Sequence, residues 1–532
     1  MFHRVTIALL AVLSSLLTMP WAAAGAAAKA DAAVQVTTTP SSARGHAIPV
    51  VAVDPRNSDV VAIAEGETRS SRCGLHVSTD AGLTWQEGAN PQPENAPRCV
   101  RNTEGPIADL TFGPDGTLFY AFPGWPMDDW HSQIFLSRST DLGRSFETVG
   151  LGGEQPDYAN GYAGSNALPV VRVDPQRPER VYVAWSSNYG LWNLEDQVPG
   201  GAEATRTTFK RRPYLAVSDD GGRTFSPPID MAGGLEESLT QPSLAIGEDG
   251  KLYAFFGETQ VTEFGEDVKE GHLFFAVSED AGKTFTQEMI HTQPAGIEFT
   301  YLNTPSAAVN PVTDEVYVAW EETGSETPKV LFMASSDSGE TWSSPTKLNS
   351  VDPQRTWDFQ EFNPWISVAP NGRIDAAWYD WRDDVSFTPG PEAENALQHV
   401  YATSSDDGGR TWSPNVRVTD RAIDRRLSDV WQNGVHGPVG LASTDDGAYI
   451  AWDDSRNAVG ESKAQDIYFT RLDTNGAGLA GVTSNDASTG DNLLWASLGL
   501  AVGIGLSGLA LIAARMLRSG DRAAGKTAPA SP

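Results

Sequence analysis

Apolar residues along this chain come in short paired runs. Each pair opens on a proline, continues through a short apolar stretch, turns on Asp, Asn, Pro or Gly, and ends in a second apolar run. The copies occupy 49–64, 106–122, 169–185, 242–256, 305–320, 364–378 and 438–452. Runs this short, bounded by turn residues, read as two strands joined by a tight turn. In six of the seven units a third run follows, as at 330–335 and 400–404, and leads into the phrase Ser-x-Asp-x-Gly-x-Thr/Ser-Trp/Phe. That phrase lies at 78–85, 139–146, 218–225, 278–285, 335–342 and 405–412, with spacings of about 57 to 79 residues. Its Asp can accept backbone N–H bonds one or two residues on, and its Gly suits a positive φ. The closing aromatic starts a fourth strand and is large enough to anchor the turn. The pattern predicts an all-β chain of four-stranded antiparallel meanders, the blades of a β-propeller.

Seven strand pairs predict seven blades. The last unit has three clear strands, ending at 466–472, and no Asp phrase. The segment 34–39 alternates apolar and polar residues and is expected to supply the missing outer strand, which closes the ring and removes an open edge. The propeller is expected over 34–473. Six blades is the competing count.

Both ends carry a different pattern. Arg4, an apolar core at 5–17 and Ala22-Ala23-Ala24 predict a secretory signal over 1–24. A Gly/Ser/Asn/Thr-rich stretch at 474–492 reads as a flexible linker. Residues 493–514 are uncharged, long enough to cross a bilayer, and followed by Arg515, Arg518, Arg522 and Lys526. The positive-inside rule then predicts a single-pass membrane protein, with 515–532 as a basic cytoplasmic tail and the propeller extracytoplasmic, at the cell surface. Gly499 and Gly503 form a GxxxG step, and the oligomeric state is left open.

Composition sharpens this picture in two places. Asp and Glu number 69 against 38 Lys and Arg, a formal net charge of −31. Such a surface repels nucleic acid, so no nucleic-acid partner is expected. The two cysteines, Cys73 and Cys99, flank the first Asp phrase in a chain predicted to be exported. They are expected to form a disulfide closing a loop of about 25 residues, contributing on the order of 3 kcal/mol.

Meander connectivity separates two faces. The Asp phrases and the short first turns share one. The long loops, 148–168, 188–211, 343–363, 379–398 and 413–437, share the other, which is expected to carry the site. Just before the inner strands come Glu104, Asn166, Gln241, Asn303, Asn363 and His436. At the ends of the second strands come Glu65, Glu67, Glu258, Glu321, Tyr379, Asp380, Arg382, Asp453 and Arg456. The phrases Trp378-Tyr-Asp-Trp-Arg382 and Trp452-Asp-Asp-Ser-Arg456 each offer a carboxylate and a guanidinium in adjacent blades.

At its six Asp phrases the chain resembles the Asp-box (BNR-repeat) proteins, which include the sialidases, over about 45–473. The resemblance implies a propeller whose boxes lie away from the active site. For a sialidase it implies three arginines on the substrate carboxylate, a Tyr nucleophile assisted by a Glu, and an Asp acid/base. One of those arginines belongs to an Arg-Ile-Pro phrase, and here the phrase is Ala47-Ile48-Pro49, with Arg44 three residues off register. The stretch from Ala62 through Glu65-Gly66-Glu67 to Arg69 looks like the Ala-x-x-Glu-Gly-Arg segment of that family, with an insertion.

Three functional readings follow. The first is a surface-tethered, sialidase-like exo-glycosidase acting on extracellular glycans. Asp380 is its first candidate for acid or base, and Tyr379 or Tyr301 with Glu258 or Glu321 its candidate nucleophile pair. Arg101, Glu104, Arg382, Asp453, Arg456 and His436 are its binding candidates, and Trp357, Trp365, Trp378 and Trp381 offer faces for sugar rings. The second is a non-catalytic propeller that binds a glycan or protein. The third is a metal-dependent enzyme using Asp380, Asp383, Asp384 and Asp453. Loop aspartates of this kind more often cap turns or hold structural Ca²⁺. No cofactor or catalytic metal is called for by the first two readings, with structural calcium the one ion in view.

Overall fold

A computed structural model describes residues 29–38, 45–68, 70–94, 98–99, 108–125, 132–151, 162–191, 210–235, 238–259, 271–293, 304–322, 329–350, 363–384, 397–427, 437–458 and 464–473. These form seven antiparallel sheets; six carry four or five strands successive in the chain, and the seventh carries the last three strands with Lys29–Ala30 and Val34–Gln35 laid against them. Blades 1 to 7 begin with inner strands His46–Asp54, Asp109–Phe112, Tyr162–Asp174, Ser243–Ile246, Ser306–Val309, Trp365–Val368 and Gly440–Thr444. Among the described residues the one helical element is a 3₁₀ turn, Arg425–Leu427. The expected seven-bladed propeller is therefore the fold.

The last blade is completed as the alternation at 34–39 predicts. Val34–Gln35 pairs with Phe469 and Tyr468. Further strand pairing comes from Lys29–Ala30, which lies opposite Asp473 and Leu472. The ring is thus closed by the first described residues laid against the last. The third strand of blade 7 is Asp466–Asp473, and it runs towards the Asp-box face.

Each seam between neighbouring blades holds one apolar cluster. The blade 1–2 cluster joins Ala62, Ala64 and Leu75 to Leu110, Tyr120 and Phe122. The blade 6–7 cluster joins Ala377, Tyr379 and Val400 to Ala448, Ile450 and Trp452. Successive residues of each second strand point into opposite seams. This is why those strands read as unbroken apolar runs rather than alternating ones.

Inner strands have no further strand to pair with, and side chains satisfy several of their N–H groups. The N–H of Val171 donates to Asp109, that of Ala307 to Ser243, that of Ile366 to Ser306 and that of Ser443 to Ser367, at 2.8 to 3.0 Å. Each bond ties one blade to the next around a central channel of about 310 Å³. Cys73 and Cys99 are joined in a disulfide, with Cα atoms 5.4 Å apart.

The six Asp boxes have one geometry. In the first, Ser78 Oγ donates to Asp80 at 2.7 Å and accepts the Gly82 N–H at 2.9 Å. Asp80 in turn accepts the N–H and hydroxyl of Thr84, at 2.8 and 2.6 Å. The tips lie beside the turns that join first and second strands: the Ala81 N–H donates to Asp59 O, and the Gly221 N–H to Glu179 O. Boxes and short turns share one face, as meander connectivity requires.

Candidate functional site

On the opposite face, the second strands of blades 4 to 7 each carry a carboxylate at or near their end that meets a basic group of its own blade. Glu258 hydrogen-bonds His272. Glu322 pairs with Lys329. Asp380 pairs with Arg382 at 2.5 Å, and Asp454 with Arg456 at 2.7 Å. Glu322, Asp380 and Asp454 lie opposite Lys329, His399 and Asp466 of the third strands, and Glu258 lies one residue past the last ladder pair of its blade, Gly257 opposite Leu273, so all four hold equivalent positions.

In blades 6 and 7 this arrangement is a closed structural unit. The indole N–H of Trp378 donates to Asp380 at 3.0 Å, and the backbone N–H of Arg382 donates to its other oxygen at 2.8 Å. The Arg382 guanidinium lies 4.1 Å from the centroid of Tyr401 and donates to Ser350 and Asn415. Blade 7 repeats this: Trp452 and Arg456 both donate to Asp454, Arg456 covers Tyr468 at 4.1 Å, and it reaches Asp420 at 2.8 Å. Asp454, not Asp453, is therefore the counterpart of Asp380. Asp380 is 1 % exposed. Arg382 thus reaches Ser350, just past the outer strand of blade 5, and Asn415 of its own blade, while Arg456 reaches Asp420 of blade 6. The structure does not bring Arg382 and Arg456 together.

The alternate positions on the same strands face the next blade. Tyr379 is fully buried and donates to Asp453, whose other oxygen accepts from Gln465. Burial, followed by the Asp453 charge, pushes the Tyr379 phenol well above its ordinary value. Glu321, also buried, accepts the backbone N–H of Asn363 at 2.7 Å. Asn166 accepts the indole N–H of Trp185 and donates to Ser132 O, binding blade 3 to blade 2. Gln241 is buried at the head of blade 4. Arg101, Glu104, Tyr301, Asn303, Trp357 and His436 lie outside the described residues.

Blade 1 departs from the rest. Phe122, Trp185, Phe256, Trp320, Trp378 and Trp452 hold one equivalent second-strand position, opposite Phe135, Tyr214, Phe274, Leu331, Tyr401 and Tyr468. In blade 1 that pair is Glu65 opposite Gly74. Glu65 is buried between two imidazoles, with His46 Nδ1 at 3.0 Å and His76 Nε2 at 3.4 Å. Burial would raise its pKa, but the charge and hydrogen bond of His46 and the bond from His76 outweigh that and hold it at about 2. Glu65 was legible as the Glu of the Ala-x-x-Glu-Gly segment, whereas His46 and His76 as its partners were not. The signal that could have found them is the loss, in this one blade, of the second-strand aromatic residue. Similarly, His272 as partner of Glu258 and Asp454 as the true counterpart of Asp380 follow from cross-strand register.

Among the described residues, no group of three or more His, Cys, Asp or Glu side chains could hold a metal ion. No helix among them is long and apolar enough to cross a membrane, and 474–532, with the expected linker, span and tail, lie outside the described residues, as does the expected signal over 1–24.

No protein-family model matches the chain, and no curated protein matches it. Solved structures similar to it include two sialidases and an α-L-arabinofuranosidase. A Hadza microbial sialidase is 16 % identical with a TM-score of 0.43, over 79 % of this chain and 74 % of that one. An α-L-arabinofuranosidase of Fusarium graminearum, with an iminosugar inhibitor, is 13 % identical with a TM-score of 0.44, over 72 % of this chain and all of that one. The intramolecular trans-sialidase of Ruminococcus gnavus, in complex with oseltamivir carboxylate, is 12 % identical with a TM-score of 0.42, over 70 % and 95 %.

Proposed function

We propose that the chain acts on extracellular glycans as a sialidase-like exo-glycosidase, held at the outer surface of a membrane and working from the face opposite its Asp boxes. The observation that carries this reading is the asymmetry of the two faces. One is committed to box tips and short turns. The other gathers carboxylate–base pairs at the ends of four second strands.

Of the candidate carboxylates, Glu258 fits the acid/base role best. Its side chain is 14 % exposed, and its imidazole partner His272 is 28 % exposed. A carboxylate paired with imidazole can hold and release a proton at a glycosidic oxygen. Arg101, Glu104 and His436 are proposed ligand contacts. Asp380, Tyr379, Glu321, Arg382, Asp453 and Arg456 are proposed as the supports beneath the site.

Binding without turnover is favoured by two specific observations. Ala47, where the family resemblance calls for an arginine, offers no charge for a substrate carboxylate, and Tyr379 is sealed against Asp453. The full chain should be incubated with a panel of chromogenic glycosides, α-sialosides included, and applied in parallel to a glycan array. Product release that Glu258→Gln abolishes, with the melting temperature unchanged, supports the hydrolase. Saturable binding with no product on any glycoside selects the binding reading, and neither binding nor product overturns both.

A further inference from the structure

The seam that closes the ring, between blade 7 and blade 1, is built unlike the seam between blades 6 and 7, where Trp452 fills the second-strand position. At the same position the closing seam holds Glu65 with His46 and His76. Space for the carboxylate is made by Gly74, where a Cβ would lie 1.7 Å from Glu65 Oε1. His46 is also a mechanical joint. Its N–H donates to Gln465 O of blade 7 at 3.0 Å, and the neighbouring Gly45 forms a parallel bridge with Gln465. Two residues on, Ile48 has φ 55°, a left-handed backbone that a β-branched side chain adopts only under constraint.

We propose that His46, Glu65 and His76 form a pH-responsive latch on the closing seam, clasped while His46 is protonated and loosened when it loses its proton. A protonated His46 neutralises the buried Glu65 carboxylate. Loss of that proton leaves an anion in a sealed site, which is costly unless the seam admits water. The groups facing His46 are Glu65 and Glu67 from blade 1 and Asp466 from blade 7, all acidic. Those facing Glu65 are the two imidazoles, with the buried Tyr120 phenol of blade 2 close by. Burial lowers the His46 pKa, but Glu65 first and then Glu67 and Asp466 more than reverse this and raise it above the ordinary imidazole value.

The direction follows from these shifts. A group whose folded pKa is raised contributes stability that is complete below its unfolded pKa and lost as pH rises through the folded one. His46 therefore clasps the seam fully below the ordinary imidazole value and releases it as pH rises through its raised value. Glu65 contributes above its unfolded value and loses that contribution only as pH falls towards about 2. Release frees the joint at Gln465 and, through the strained Ile48, the head of the first inner strand.

The test uses the full chain. Amide exchange of 34–37, 45–50 and 464–470, corrected for intrinsic rates, is followed from about pH 6 to about pH 9, together with the imidazole C–H signal of His46. Wild type is expected to lose protection in these segments along the His46 titration, while the box hairpins hold theirs. Glu65→Gln is expected to abolish the coupling. Should Glu65→Gln fail to fold, His46→Gln and the wild-type titration still decide. A His46 signal that titrates without a matching loss of protection, or a loss spread evenly over all seven blades, overturns the latch.

Discussion

A Cβ placed on Gly82 would lie 2.0 Å from Cε1 of Phe469, so the first Asp box is docked on the third strand of blade 7. The same relation recurs around the ring. Gly143 faces Leu75, Gly222 faces Leu136, Gly282 faces Leu215, Gly339 faces Phe275 and Gly409 faces Phe332. Each box glycine thus meets the third strand of the blade before it, three residues ahead of that blade's own box serine where it has one. Blade 7 has no box, and the equivalent residue of blade 6 is the small Ala402. The size of one side chain tracks the presence of a hairpin in the next blade. An Asp box is therefore an inter-blade clamp as well as a turn.

This gives box glycines a cost beyond backbone preference. Gly82 has φ 88° as well as the Phe469 ring against it. Gly82→Ala should lower stability by about 2–4 kcal/mol, from left-handed strain and overpacking together. Gly221 has φ 74° but only the end of Arg223 within 4 Å, so Gly221→Ala should cost about 1 kcal/mol from strain alone. Urea unfolding of the two variants measures the difference. Equal losses would show that the box does not clamp the seam.

The box carboxylates predict an acid limit. Asp280 is held at about 2, first by the Thr284 hydroxyl and then by the Thr284 N–H, and Asp141 at about 2 by Ser145 and Ser139. A lowered folded pKa contributes stability above the unfolded value near 3.8, lost as pH falls towards 2. Melting temperatures of wild type and Asp280→Asn should differ at about pH 6 and converge as pH falls to about 2. A constant gap across that range would mean that Asp280 stabilises by shape alone.

Asp380 carries a sharper expectation. Its oxygens accept from Trp378, the Arg382 N–H and the Arg382 guanidinium, and Arg382 covers Tyr401. Asp380→Asn should lower stability by about 3 kcal/mol, because a largely buried guanidinium loses its counter-charge. Asp454→Asn should do the same in blade 7. Denaturant curves that are unchanged for Asp380→Asn, with activity lost, would return this residue to the chemistry.

The blade plan was legible because it repeats. Paired apolar runs mark inner and second strands, the Ser-x-Asp-x-Gly phrase marks the hairpins, and the alternation at 34–39 marks the closing strand. The candidate site was less so, for a physical reason. Strand alternation says that Asp380 and Tyr379 point opposite ways, but not that Asp380 is taken up by Trp378 two residues back or that Tyr379 meets Asp453 of the next blade. Likewise the missing aromatic residue marks Glu65 as unusual but does not itself place His46 and His76 around it. Those partners are set by cross-strand register and by which seam a side chain enters, and both are decided only when the ring closes.

The enclosure of Glu65 can be tested through a residue that has no side chain. Gly74 is conformationally ordinary, so the reason for glycine there is the Glu65 carboxylate 1.7 Å from its missing Cβ. Gly74→Ala must push that carboxylate away from one or both imidazoles, leaving buried polar groups unpaired, and should cost about 3 kcal/mol. Gly234 makes the control, since an added Cβ there has nothing within 4 Å, and Gly234→Ala should be neutral or stabilising by about 0.5 kcal/mol. The Gly74→Ala loss should also shrink in a Glu65→Gln background, because the two substitutions disturb the same contact. Additive losses would place the origin of the Gly74 effect outside the cluster.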